Sequence, residues 1–120
     1  MSQLGQISGI VMTALDGLAL RQQVIAENIA NMNTPGYTPR AVDFEAALGR
    51  LRDGGASGFS RDDAASLFRV HEQDAAMSDA GLGGQVAMLA DTVLKYQVLL
   101  KGVNRQLGLM QLAISEGKRG

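Results

Sequence analysis

The chain has 120 residues, a formal net charge of −1 and a pI near 5.7. With no surplus of lysine and arginine to neutralise phosphates, nucleic-acid binding is not expected. No cysteine is present, so disulfides and thiolate metal sites are excluded. The composition is 46% hydrophobic, too apolar for a disordered chain, yet it holds two Tyr, three Phe and no Trp. The apolar content is mainly Leu, Val, Ile, Ala and Met, a mix suited to helices packed on helices.

In chain order, the first expected element is a helix over roughly 6–32. Leu4, Val11, Leu18, Ile25 and Met32 fall seven apart, and the apolar stripe drifts around the helix toward Ile29. Arg21 is the first positive side chain, so neither a secretory n-region nor a basic membrane-surface helix is expected here. Asp16 interrupts the apolar stretch, and no run approaches the roughly 20 residues of a membrane span. The helix should stop at Asn31 to Tyr37. Pro35 removes a backbone donor and disfavours helical geometry at Thr34. Thr34-Pro35-Gly36-Tyr37 fits a type II turn, with Gly36 where φ must be positive. Pro39 holds Thr38 extended, and Tyr37 is expected to project outward from the stiff turn.

Residues 40–80 lack sustained periodicity. Val42, Phe44 and Leu48 read as a short apolar patch, 52–60 as a flexible loop, and Leu67, Phe68 and Val70 as one short strand. Gly81, Gly83 and Gly84 should precede or fray the next helix. That helix carries the clearest pattern in the chain. Leu82, Val86, Leu89, Val93, Tyr96, Leu100, Val103, Leu107, Met110 and Ile114 alternate spacings of four and three. At about 1.5 Å per residue this seam runs some 50 Å. Leu94, Val98, Leu99, Leu109 and Leu112 lie off it, and a two-helix monomer would leave them facing water, which points to assembly with other chains.

The expected fold is therefore mainly α. Long N- and C-terminal helices form a coiled-coil-like hairpin, and the loose middle holds at most a short strand. The divisions fall at 1–38 for the N-terminal helix and turn, 39–81 for the middle, and 82–120 for the C-terminal helix, the two helices forming one domain. Catalytic chemistry is not visible. His71 is the sole histidine and has no sequence partner that would mark it as a base. Asp62-Asp63 read as solvated charge, and Gly81-Leu82-Gly83-Gly84 lacks the spacing of a phosphate loop. No enzyme activity, cofactor, metal or small-molecule substrate is expected. Gly17, Gly102 and Gly108, inside the helices, mark either close packing or tolerance.

The run from Asn28 to Tyr37 resembles the Ala-Asn-x-x-Thr-Pro-Gly-Tyr signature of flagellar rod and hook proteins. Ala30, Asn31, Thr34, Pro35, Gly36 and Tyr37 match position for position. Arg21-Gln22-Gln23, Asp43-Phe44-Glu45, Leu94-Lys95-Tyr96-Gln97 and the segment from Ala113 to Lys118 resemble the proximal-rod members in particular. The stretch from Ser78 to Val86 departs from them, with glycines replacing acidic residues. The resemblance implies an axial subunit of the bacterial flagellar basal body, exported unfolded by the flagellar type III apparatus without a cleaved signal peptide. It would assemble in the periplasm through interleaved helices that transmit torque and line the export channel. The partners implied are copies of itself, other rod proteins, a FliE-type adaptor and the export gate. Within that reading, Val11, Leu18, Ile25 and the C-terminal seam pack helices within and between subunits, and the Pro35-Gly36 turn sets the path into the middle segment. The alternative is a soluble coiled-coil adaptor or secretion chaperone.

Overall fold

A computed structural model describes residues 2–54, 67–73 and 81–119. Helix α1 spans Ser2–Ala30, β1 Arg40–Val42, α2 Phe44–Gly54, β2 Val70–Glu72 and α3 Gly81–Arg119. The chain is mainly helical, with two long terminal helices and a two-stranded sheet, in an elongated body of 66 × 26 × 19 Å.

α1 starts earlier than the expected residue 6 and ends two residues before the expected 32. Its last turn tightens: Met32 N–H donates to the Ile29 carbonyl at 3.4 Å and Thr34 N–H to that of Asn31 at 2.9 Å. These i→i+3 bonds satisfy carbonyls that a continuing helix would otherwise use. Gly36 has φ of 81°, and Tyr37 N–H donates to the Thr34 carbonyl at 3.2 Å. Both are features of the type II turn read from the sequence.

After the turn, β1 pairs antiparallel with β2 in the register Arg40↔Glu72, Ala41↔His71, Val42↔Val70. Asp43 N–H to the Arg69 carbonyl and Gln73 N–H to that of Pro39 extend the ladder at each end. The strand thus lies at Val70–Glu72 rather than over Leu67 to Val70. Leu67 and Phe68 precede it, and Phe68 turns inward instead of pairing.

α2 was not anticipated. Phe44, Ala47, Leu48 and Leu51 recur at i, i+3, i+4 and i+7, one face of a helix. Phe44, Ala47 and Leu51 are buried. Glu45 in the first turn and Arg52 in the last complement the helix dipole. Arg52 and Asp53 therefore close a helix instead of opening a loop. The remainder of that expected loop, Asp62-Asp63 and Ser78 to Ala80 lie outside the described residues.

α1 and α3 run antiparallel: Asn28, late in α1, meets Gln85, early in α3, while Leu18 shares a cluster with Tyr96 and Leu99. The core joins Ala14, Leu18 and Val24 of α1 to Val42, Phe44, Ala47 and Phe68. Phe44 and Phe68 stack, with ring centroids 5.8 Å apart and planes 12° from parallel. The Phe68 ring lies against Gly17 so closely that a Cβ there would stand 2.4 Å from Cε1. Close packing, not tolerance, accounts for that glycine.

Candidate assembly surface

The turn is fastened to the helices by one buried amide. Asn28 is only 2% exposed, and both its oxygen and its nitrogen are fully used. Its Oδ1 accepts from the Tyr37 hydroxyl at 2.9 Å and from Arg40 N–H at 2.9 Å. Its Nδ2 donates to the Arg40 carbonyl at 2.7 Å and to Gln85 Oε1 at 3.2 Å. The amide thus pairs with both backbone groups of Arg40 as a neighbouring strand would. Gln85 Nε2 donates onward to Gln73 Oε1 at 2.9 Å. One chain of amides therefore links α1, the turn, β1, β2 and α3. Tyr37 does not project outward as expected. Its hydroxyl finds the buried Asn28 oxygen, and the ring folds back over α1.

The other motif residues have separate tasks. Thr34 Oγ1 donates to Asn31 Oδ1 at 3.2 Å, and Asn31 Nδ2 donates to the Glu27 carbonyl at 3.0 Å. These bonds cap the end of α1. Ala30, Pro35 and Gly36 are exposed. A pair between Arg40 and Glu27 clasps the outside of the turn. Glu45 meets Arg21 at 2.8 Å and Lys95 at 3.8 Å, tying α2 to both long helices. Partial burial pushes the Glu45 carboxyl up. The Arg21 hydrogen bond and the positive charges of Arg21 and Lys95 outweigh this and hold it below its ordinary value. His71 is exposed, with Nδ1 at 2.8 Å from the Glu72 carbonyl. Among the described residues no group of three or more His, Asp or Glu is arranged to hold a metal.

The apolar seams divide by helix. Leu18 and Ile25 of α1 are buried and Val11 is half-buried. On α3 the fully buried positions are Gln85 and Thr92, with Met88, Tyr96, Leu99 and Val103 half-buried on the same side. Of the sequence-read seam, Leu89, Val93, Tyr96 and Val103 are half-buried, whereas Leu82, Val86, Leu100, Leu107, Met110 and Ile114 are exposed. Leu94, Val98, Leu109 and Leu112 are also exposed; Leu99 packs on the core. Two grooves flank α3. One, of about 510 Å³, lies along Val86, Leu89, Val93 and Leu94. The other, of about 560 Å³, runs between α3 and α2, over Leu94, Val98, Phe44 and Leu48. The far part of α3 thus presents leucines on several sides.

Sequence reasoning missed Gln73, Gln85 and the role of Asn28. A buried glutamine has no periodic signature, and Asn28 interrupts the apolar stripe of α1 at a position that reads as solvent-facing. The Phe44–Phe68 stack joins residues 24 apart in the segment with the weakest pattern.

A family model described as "Flagella basal body rod protein" matches residues 10–38, which take in most of α1 and the turn. The flagellar basal body rod protein FlgB of Salmonella typhimurium strain LT2 is 33% identical over 119 residues, covering 82% of this chain and 86% of that protein. FlgB of Proteus mirabilis strain HI4320 is 28% identical over 116 residues, covering 81% and 85% respectively. FlgB of Borrelia hermsii is 58% identical over a 36-residue stretch, 30% of this chain and 27% of that protein. The first two of these alignments cover more than four-fifths of the chain, far beyond the stretch matched by the family model. The chain therefore belongs to the FlgB family of flagellar basal body rod proteins, structural subunits of the rod.

Proposed function

We propose that this subunit works mechanically, by packing its two long helices among those of neighbouring subunits in the periplasmic rod, where they transmit torque and line the export channel. The observation that carries the reading is the unburied apolar surface of α3: Leu100, Leu107, Met110 and Ile114 are exposed along a helix about 58 Å long. An exposed apolar surface of that extent marks a site of interaction with other chains. In this reading Leu82, Val86, Leu89, Val93, Leu100, Val103 and Leu107 bury against helices within and between subunits. Val11, Leu18 and Ile25 hold α1 against the body. Ala30, Asn31, Thr34, Pro35, Gly36 and Tyr37 fix the angle at which the chain leaves α1.

The partners proposed are further copies, other rod proteins, a FliE-type adaptor and the flagellar type III export gate, through which the chain passes before it folds. No catalytic role is proposed for any residue. The test is complementation of a null strain with Leu107→Glu. The side chain is exposed, so the variant folds as the parent does. Loss of swimming and of rods in purified basal bodies is expected. Normal swimming would remove the role assigned to this face.

A further inference from the structure

The flank of α3 that borders the groove shared with α2 carries a pattern that the core of the chain leaves exposed. Val98 stands at its centre. Residues four, seven and eleven positions to either side share that face by heptad spacing. They are Leu94 and Gly102, Asp91 and Arg105, Ala87 and Leu109. Each pair couples opposites: large with absent, negative with positive, small with large. All seven are exposed.

We propose that a second copy of this chain docks on this face, its α3 antiparallel to the first, with the two-fold axis at Val98. A two-fold of that kind places residue 98 − n against residue 98 + n of the other copy. Leu94 then covers Gly102 of the second copy, Asp91 meets its Arg105, and Ala87 meets its Leu109. Each of these contacts occurs twice.

Three observations favour this occupant. Gly102 lies inside a helix at about 1 kcal/mol relative to alanine. No atom stands within 4 Å of the place its Cβ would occupy, so packing within the chain does not account for it. Gly83, Gly108 and Gly117 of the same helix are equally open, and Gly102 is the one over which the two-fold would lay a leucine. Charge selects the direction: a parallel, in-register pair would set Asp91, Lys95, Lys101 and Arg105 each against its own kind, whereas the antiparallel pair sets Asp91, itself 3.0 Å from Lys95 of its own helix, against Arg105 and leaves only Lys95 against Lys101 as a like-charge contact. Glu45, at the edge of the same groove and 3.8 Å from Lys95, offsets that like-charge contact. Finally, the floor of the groove of about 560 Å³ includes Leu94 and Val98, so a helix laid along them finds an apolar bed beside it.

The proposal goes beyond the rod reading and does not depend on it. A closed two-fold pair cannot extend, so it withholds this face from further packing and competes with incorporation into a filament.

The chain has no native cysteine, so single substitutions report directly. Purified full-length Val98→Cys under mild oxidation should form a disulfide-linked dimer, while Leu107→Cys, exposed but off the stripe, should not. Adding Asp91→Arg to Val98→Cys should lower the dimer yield about fivefold, as expected for turning a surface attraction into repulsion. Further addition of Arg105→Asp should restore it. Sedimentation of the unmodified chain should show monomer and dimer only. Equal cross-linking by Leu107→Cys, absence of the Val98→Cys dimer, failure of the charge swap to rescue, or a ladder of longer polymers would each overturn the proposal.

Discussion

Asn28 makes four hydrogen bonds with two atoms, one of them buried and three part-buried. Removing it takes their partner from a phenolic hydroxyl and both backbone groups of Arg40, and strands a buried glutamine oxygen. Asn28→Ala should destabilise the chain by about 3 kcal/mol, since each buried unpaired group costs roughly 1–3 kcal/mol. Urea denaturation followed by circular dichroism measures this, and a loss within error of zero would mean the turn is held by something else. Gly17→Ala should also destabilise, by about 1–3 kcal/mol, as the Phe68 ring is displaced from 2.4 Å. The helix-propensity gain of about 1 kcal/mol does not offset that displacement. Gly36→Val forces a β-branched residue to φ of 81° and should abolish rod assembly. A strain carrying it that swims normally would refute the turn's importance. Residue roles were unevenly legible. Pro35 and Gly36 announced their turn because steric rules leave few alternatives. Asn28 did not, because its partners lie 9, 12 and 57 positions away and a single polar residue on a helix is usually solvated.

At the scale of elements, both long helices were readable from heptad spacing, since burial on one side repeats every turn. α2 escaped notice for a physical reason: Phe44, Ala47, Leu48 and Leu51 make a stripe only two turns long, bordered by glycines and charges. The direction in which α3 faces α1 was hidden too. The side that meets α1 is centred on Gln85 and Thr92, polar residues whose partners are amides and a backbone carbonyl. The more apolar seam beside it is left partly bare. α2 is held to the long helices by Glu45 as well as by its core face. The Glu45 carboxyl is depressed, so its contribution is present above the ordinary glutamate value of about 4.3. It fades as pH falls through the lower, folded value. Glu45→Gln should flatten the loss of stability on acidification while lowering stability slightly at neutral pH, and unfolding midpoints taken across that range measure both. An unchanged acid slope would show that the Arg21 and Lys95 contacts are too screened to matter.

For the whole molecule, the essential feature is a core concentrated around the middle of α1, the sheet and α2, while the far half of α3 runs beyond it with leucines on several faces. Residues 107–117 are all exposed in the single chain. Membership in a family of rod subunits gives that surface a destination, since a filament supplies neighbours on more than one side. The most direct test is thiol labelling of Leu107→Cys and Ile114→Cys, each alone in this cysteine-free chain, in purified subunit and in intact basal bodies. Rapid modification of the free subunit and strong protection in the basal body are expected. Equal reactivity in both would contradict the burial of α3 among neighbouring subunits.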